Sequence, residues 1–292
     1  MNIQDQQRIQ ELERKLDEKE KELEKLYGVV DSLNSCIGGI IKETESGIRA
    51  ATSLYRKLAS KKLPKVKGFT FASKYLISKD DLNGYFDIFE IPEHEGAGVI
   101  MCDARGYGTS AVVMSFASSL VDSKTTEGCT DFFHSLNQEL DNCSSIKDTG
   151  KDMASLIKMN YLLIDKSSLE MELCSAGMPE VLVVRGEDLI STNNSEQASL
   201  IAPQKTSMRL LPGDRLVMVN NGFVDSEDEN GTKFGIERLK KCLHNAQHLP
   251  ISDVVSNIAF ELNAFTDDKR NRLKGDISIL GIEVERKMFY VV

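Results

Sequence analysis

The sequence has no apolar run of about 18 or more residues, the length that a membrane-spanning helix requires, so we expect no membrane span. The first residues, MNIQDQQRIQELERK, contain no apolar signal core, and secretion is therefore not expected. The six cysteines include no Cys-x-x-Cys pair, a pattern typical of reduced thiols in a cytoplasmic protein. Basic residues are in the minority, with 36 Lys and Arg against 45 Asp and Glu, and the net charge of −9 disfavours binding to nucleic acid or anionic lipid.

The N-terminal segment repeats apolar residues every seven positions. In one register, nine of the ten core positions between residues 9 and 40 are apolar, and only Lys19 interrupts them. A lone helix would leave this stripe in water, so we expect a partner helix and, from the mixture of Leu, Ile and Val, a parallel homodimer. A single long helix lying on its own domain is the alternative. The apolar positions of this seam are Ile9, Leu12, Leu16, Leu23, Leu26, Val30, Leu33, Ile37 and Ile40.

The heptad pattern weakens at Gly38 and Gly39, and Pro64 ends the helical stretch. We therefore expect a coiled-coil leader and linker over residues 1–63 and a folded domain over residues 64–292. In the second segment, alternating or continuous apolar runs predict strands and helical spacing predicts helices, which together indicate an α+β domain. The predicted strands cover residues 68–77, 85–91, 96–102, 160–165, 169–175, 181–185, 215–219 and 277–284, and the predicted helices cover 109–122, 130–140, 235–244 and 251–265.

Four motifs follow one another in the second segment. A buried strand ends in Asp103, and a glycine turn containing Gly106 precedes a helix. Further along come Cys-Ser-Ala-Gly-Met-Pro at residues 174–179, Leu-Pro-Gly-Asp with Asn-Asn-Gly within residues 211–222, and Lys-Gly-Asp-Ile-Ser at residues 274–278. In order and spacing, these motifs resemble the SpoIIE-like branch of the PPM metal-dependent protein phosphatases over roughly residues 65–285.

The resemblance implies an α-β-β-α sandwich and a cytoplasmic regulator acting on phosphoserine or phosphothreonine, usually in small STAS-domain proteins of partner-switching circuits. It also implies two Mn²⁺ or Mg²⁺ ions that hold a hydroxide and the phosphate. Because two neighbouring dications repel each other, the family surrounds them with carboxylates. These acids belong to a Gly-Gly-Asp strand, an Asp-x-x-Gly turn, a Thr-Asp-Gly turn and a terminal Asp-Asp-Ile-Thr strand.

At the first two of these motifs, the sequence keeps one acid and loses another. The Asp-x-x-Gly turn is intact, with Asp103, Ala104 and Gly106. The carboxylate of Gly-Gly-Asp is replaced by Gly84, which has no side chain to offer a metal. Met178 also stands where the family pattern has a histidine after Ala-Gly.

The last two motifs also lose their metal acids. Asn221 replaces the aspartate of Thr-Asp-Gly, so that only a neutral amide oxygen remains as a weak candidate ligand. In the terminal strand, Gly275 replaces the metal-binding acid, and the second acid of the pair is retained as Asp276. Four expected carboxylates have therefore become one, Asp103.

We therefore expect a dimeric pseudophosphatase that binds a phosphoprotein of STAS or related type without efficient hydrolysis and needs no cofactor. The alternative is an active Mn²⁺- or Mg²⁺-dependent phosphoserine/threonine phosphatase regulated by its helical leader. An active site would require an alignment shift that recruits Asp80, Asp81 or Asp87, although a slip of one residue reverses the faces of the strand. A purely structural dimer is a third hypothesis.

Overall fold

The computed structural model describes residues 11–12, 14–39, 63–76, 84–91, 96–104, 128–143, 155–192, 198–267 and 273–286. The chain divides into two compact units, Met1–Leu58 and Ala59–Val292. In the first unit, helix α1 covers residues 14–39, and its seam residues Leu16, Leu23 and Leu26 are 61%, 54% and 66% exposed. The seam positions Ile9 and Ile40 lie outside the described residues. No helix in the described ranges is both long enough and apolar enough to cross a lipid bilayer.

The second unit contains two five-stranded antiparallel sheets and several helices. The elements in chain order are β1 (Phe69–Leu76), β2 (Gly84–Ile91), β3 (Gly96–Ala104), α2 (Cys129–Cys143), β4 (Ile157–Ile164), β5 (Glu170–Ala176), β6 (Leu182–Arg185), β7 (Asp188–Ser191), β8 (Gln204–Arg209), β9 (Arg215–Val219), α3 (Asn221–Asp225), α4 (Gly235–Ala246), α5 (Ile251–Phe265) and β10 (Ile277–Val284). The β10 sheet has the order β1-β10-β9-β6-β7, and the β3 sheet has the order β2-β3-β4-β5-β8.

The two sheets pack face to face, and helices cover their outer faces. Strand β3 is buried along its whole length, and its side chains alternate between the two neighbouring layers. Val99 and Met101 belong to the apolar core between the sheets, whereas Ile100 and Cys102 pack on the side of α2. On the far side of the β10 sheet, α4 and α5 cover a second apolar cluster. This is the α-β-β-α sandwich that the resemblance implied, and that prediction is confirmed.

Helix α5 packs closely against β10 because residue 281 is a glycine. A Cβ atom added to Gly281 would lie 2.7 Å from side-chain carbons of Ile251 and 2.8 Å from one of Val255. Both of these residues belong to α5 and are buried in the apolar cluster between the helix and the β10 sheet. Strand β10 therefore cannot carry a side chain at residue 281 unless α5 is displaced.

We expect Gly281→Ala to lower the free energy of unfolding by about 1–3 kcal/mol, because the added methyl group overpacks the contact between α5 and β10. Urea denaturation followed by circular dichroism measures this loss. Gly28→Ala on α1 is the control, since nothing lies within 4 Å of a Cβ added there and alanine favours helix over glycine. An unchanged urea midpoint for Gly281→Ala would contradict the predicted contact.

Candidate functional site

The sequence positions assigned to the family motifs meet at one end of the space between the two sheets. Gly84 and Asp103 are directly paired where β2 begins and β3 ends. Asn220 follows β9, and Asp276 immediately precedes β10. A Cβ on Gly84 would lie 2.9 Å from Nδ2 of Asn220 and 3.3 Å from the carbonyl oxygen of Asp276, so strand ends from both sheets converge here.

Asp103 is the carboxylate at the centre of this site. It is only 8% exposed. Its Oδ1 accepts a 2.8 Å hydrogen bond from Nδ2 of Asn220, and its Oδ2 accepts a 2.7 Å hydrogen bond from the backbone N–H of Asn221. Burial raises the pKa of the Asp103 carboxyl above its ordinary value, while the hydrogen bonds from both asparagines and the charge of Lys158 act in the opposite direction. Both oxygens of this acid are thus engaged by neutral groups of the chain.

Asn220 is a member of the site that was not predicted from the sequence. Its side chain is fully buried, and Nδ2 donates both to Asp103 and, at 2.6 Å, to the carbonyl oxygen of Asp276. Its Oδ1 accepts a 3.0 Å hydrogen bond from the backbone N–H of Ser278. The only signal in the sequence was a second amide beside Asn221 in Asn-Asn-Gly. Asn220 therefore ties the end of β3 to β10 and leaves none of its amide groups unsatisfied.

Glycines provide the space for this amide. A Cβ on Gly222 would lie 2.6 Å from the carbonyl oxygen of Asp276 and 3.4 Å from Nδ2 of Asn220, and the Gly84 position is similarly close to Asn220. Gly275 has a φ of 102°, in the region that strongly favours glycine. An aspartate at Gly275 would therefore be strained as long as this backbone conformation is kept.

Asp276 keeps its carboxylate but directs it towards β1. The side chain is fully buried, and the Tyr75 hydroxyl lies 2.6 Å from its Oδ2 and 3.2 Å from the carbonyl oxygen of Gly84. The hydrogen bonds described for the two carboxylates therefore differ, because that of Asp103 accepts from the asparagines and that of Asp276 accepts from a tyrosine.

Asn221, the weak candidate ligand, engages a different set of groups. Its Nδ2 lies 3.3 Å from the carbonyl oxygen of Gly177 and 3.4 Å from the sulfur of Met178. Its Oδ1 accepts a 3.4 Å hydrogen bond from the ammonium group of Lys158. The amide oxygen that could have served a metal thus already faces a cation of the chain.

The remaining candidate positions do not add an acid to the described site. Ala104 is buried in the cluster under α2, on the face of β3 opposite to Asp103. Asp87 lies on the face of β2 opposite to Gly84 and accepts a 3.1 Å hydrogen bond from a tyrosine hydroxyl. Gly106, Asp80 and Asp81 lie outside the described residues.

The described residues do not fit a two-metal centre. Such a centre needs several anionic oxygens, because its ions lie about 4 Å apart. Here both oxygens of Asp103 are occupied by hydrogen-bond donors, and the Gly84 position is filled by the Asn220 amide. Within the described ranges, no group of three or more His, Cys, Asp or Glu residues is arranged to hold a metal ion.

Comparison with known proteins agrees with the motif resemblance. The family model for stage II sporulation protein E (SpoIIE) matches residues 93–285 of this chain. No curated protein matches the chain at a significant level of sequence similarity.

Solved structures match the fold at low sequence identity. The SiaA-PP2C domain of Pseudomonas aeruginosa is 14% identical with a TM-score of 0.64, and the match covers 83% of this chain and 97% of that domain. The RsbU and RsbW domains of Rv1364c from Mycobacterium tuberculosis are 15% identical with a TM-score of 0.62, over 76% of this chain and 63% of that one. The PP2C phosphatase domain of SpoIIE from Bacillus subtilis, with a fragment of its regulatory domain, is 12% identical with a TM-score of 0.59, over 77% and 64%. The chain thus spans less than two thirds of the last two structures, and these similarities show the fold alone.

We expect Gly84→Asp, which restores a family acid, to lower the thermal stability of the domain without producing phosphatase turnover. The new side chain would collide with the Asn220 amide and place a second negative charge beside Asp103, at a cost of about 2 kcal/mol or more. Differential scanning calorimetry and a phosphopeptide assay with Mn²⁺ measure the two effects. Gly84→Ala is the matched control, and it should cost less because it adds no charge. A stable and active Gly84→Asp protein would show that the site accepts the acid.

Proposed function

The chain belongs to the SpoIIE family, and on that premise we propose that its phosphatase-shaped domain, residues 64–292, binds a phosphorylated protein without hydrolysing the phosphate. The observation that carries the proposal is the hydrogen bonding of the Asp103 carboxylate. Its two oxygens accept hydrogen bonds from Asn220 and Asn221, and the other family positions hold glycine or an amide. A pseudophosphatase is the function that this site supports best.

The charge balance supports the loss of hydrolysis. Two dications about 4 Å apart repel each other by about 17 kcal/mol at an effective dielectric constant of about 20. The family offsets this repulsion with several carboxylates, whereas here one acid, Asp103, stands at a matching ligand position. That single charge is moreover hydrogen-bonded to neutral donors. The site therefore lacks the anionic oxygens that would hold the ions and their hydroxide.

Lys158 supports a remaining capacity to bind phosphate. It lies on β4 directly opposite Asp103, and its ammonium group donates to the amide oxygen of Asn221. Its aliphatic stem passes over Gly177, where an added Cβ would lie 3.3 Å from the Lys158 Cγ. A phosphoserine or phosphothreonine carries about −1.5 to −2 charges and binds a lysine ammonium by charge-assisted hydrogen bonds. We assign the partner to the STAS class because that is the usual substrate of the family that the motifs resemble.

We expect no Mn²⁺- or Mg²⁺-dependent release of phosphate from a phosphorylated STAS-domain protein. Mass spectrometry of the bait after incubation with the full chain measures this directly. Turnover that is abolished by Asp103→Ala would instead establish the alternative function, a working phosphoserine/threonine phosphatase.

We expect the same phosphorylated bait to bind more tightly than its unphosphorylated form in isothermal titration calorimetry. Lys158→Gln should weaken binding of the phosphorylated form by about 10- to 100-fold, since a hydrogen bond to a charged group is worth about 1.5–3 kcal/mol. Lys241→Gln, the same change at an exposed position on α4, is the control and should leave the affinity unchanged. Equal affinities for both forms of the bait would contradict phosphate recognition and favour a purely structural dimer.

The exposed seam of α1 supports a second part of the proposal, a parallel two-stranded coiled coil that makes the protein a homodimer. Ion pairs such as Lys15 with Glu11 and Lys21 with Asp17 lie outside the seam, as expected for the solvated face of such a helix. The seam itself presents exposed leucines, including Leu16, Leu23 and Leu26. A second copy of the same helix would cover them.

We expect the double substitution Leu23→Glu and Leu26→Glu to convert the full-length dimer into a monomer, because it places four charges in the seam of the paired helices. Light scattering coupled to size-exclusion chromatography measures the mass. Ser32→Glu with Ser35→Glu adds the same charge outside the seam and should leave the dimer intact. A wild-type monomer, or a dimer that survives the seam change, would contradict the coiled coil.

A further inference from the structure

We propose that the side-chain amide of Asn220 permanently takes the place of a cation in this site, so that the folded domain is independent of divalent metal ions. The inference deepens the proposed function and rests on it, because it names the group that closes the catalytic centre. It concerns the stability of the fold, and it is therefore tested separately from binding of a phosphoprotein.

The amide nitrogen occupies the point where oxygen atoms converge. Nδ2 of Asn220 lies 2.8 Å from Oδ1 of Asp103 and 2.6 Å from the carbonyl oxygen of Asp276. These two acceptors come from different sheets, since Asp103 is the penultimate residue of β3 and Asp276 precedes β10. An N–H group carries a partial positive charge, and here it joins two oxygens that would otherwise attract a cation or repel each other.

The orientation of the amide is fixed by its partners. Its Oδ1 accepts a hydrogen bond from the backbone N–H of Ser278, while both contacts of Nδ2 are to acceptors. Rotating the amide by half a turn would set its oxygen against Asp103 and the Asp276 carbonyl and would leave the Ser278 N–H facing a donor. The buried network is therefore satisfied in one arrangement only, with the N–H groups in the position of the positive charge.

The loss of a family acid and the gain of the amide are coupled through space. Gly84 stands where the family has a carboxylate, and a Cβ there would approach Nδ2 of Asn220 to 2.9 Å. Gly222 lies on another side of the same amide, with an added Cβ at 3.4 Å. A side chain at Gly84 would therefore expel the amide, so the glycine that removes a metal ligand also makes room for the replacement.

The surrounding groups make Asn220→Asp an informative variant. This change keeps the shape of the side chain but replaces the N–H donors by an oxygen beside Asp103 and the Asp276 carbonyl. The hydroxyl of Ser278 is buried, has no hydrogen-bond partner among the described residues, and lies 3.4 Å from the position of a Gly84 Cβ. The carboxylates of residues 103 and 220 and the Asp276 carbonyl would then meet without the N–H groups that joined them, with the Ser278 hydroxyl close to the Gly84 position, a set of oxygens that suits a hard dication such as Mn²⁺.

Thermal unfolding of the full chain in EDTA and in Mn²⁺ tests the inference. We expect the wild-type Tm to be the same in both solutions. Asn220→Asp should unfold about 5–10 °C lower in EDTA, because it removes buried hydrogen bonds and adds a buried charge, and it should recover part of that loss in Mn²⁺. Asn230→Asp, the same chemical change at an exposed turn, should alter neither value.

Asn220→Thr keeps the test informative if the aspartate variant does not fold. Threonine matches the family residue at this position but cannot make both donor contacts, so its Tm should fall in EDTA and stay unchanged on addition of Mn²⁺. A wild-type Tm that rises in Mn²⁺, a threonine variant as stable as the wild type, or a folded aspartate variant that responds to Mn²⁺ no more than Asn230→Asp would overturn the inference. Failure of the phosphoprotein to bind would contradict the proposed function and leave these Tm values unaffected.

Discussion

The hydrogen bonds that the Asn220 side chain donates to Asp103 and Asp276 and accepts from the Ser278 N–H are the constraint on which this end of the domain depends. Most of the core between the sheets is apolar, and apolar burial does not require a directional partner for each residue. At the end of this space where the candidate site lies, however, a carboxylate, a carbonyl and an N–H are buried. Each would destabilise the fold by about 1–3 kcal/mol if it were left without a partner. One amide satisfies all three and joins strands from both sheets.

Much of the sandwich was predictable because many of its strands are alternating or continuous apolar runs of the length typical of strands. Continuous apolar runs placed β3 and β10, and the predicted bounds of β9, β10 and α5 agree with the structure. Strands β7 and β8 were missed. β8 lies at the edge of the β3 sheet, and its sequence, QKTSMR, contains one apolar residue, so neither alternation nor a buried run marks it. The Asn-Asn-Gly turn expected at residues 220–222 leads directly into the short helix α3, which begins at Asn221.

The sequence predicted which metal-binding acids are missing from the candidate site, but not which groups take their place. The motifs place Gly84, Asp103 and Gly275 because their neighbours in sequence identify them. Asn220 also lies in a motif, but its role was not predictable, since its partners lie 117 and 58 residues away in the chain and only the fold brings them together. The positive φ of Gly275 could not be predicted either, because glycine adopts positive and negative φ values and the turn decides which one occurs.

Binding of a phosphate without its hydrolysis is consistent with a site whose cation is the Lys158 ammonium group and not a metal ion. Hydrolysis needs groups that stabilise the transition state more than the bound phosphate, such as metal ions that polarise the phosphoryl group and hold a hydroxide. On the proposed function, the Lys158 ammonium attracts the ground state and the transition state alike, which gives affinity without acceleration. The Asn220 amide is neutral and hydrogen-bonded to three residues, and on the further inference it is not exchanged for an ion from solution. A site built in this way would respond to the phosphorylation state of its partner and not to the concentration of metal.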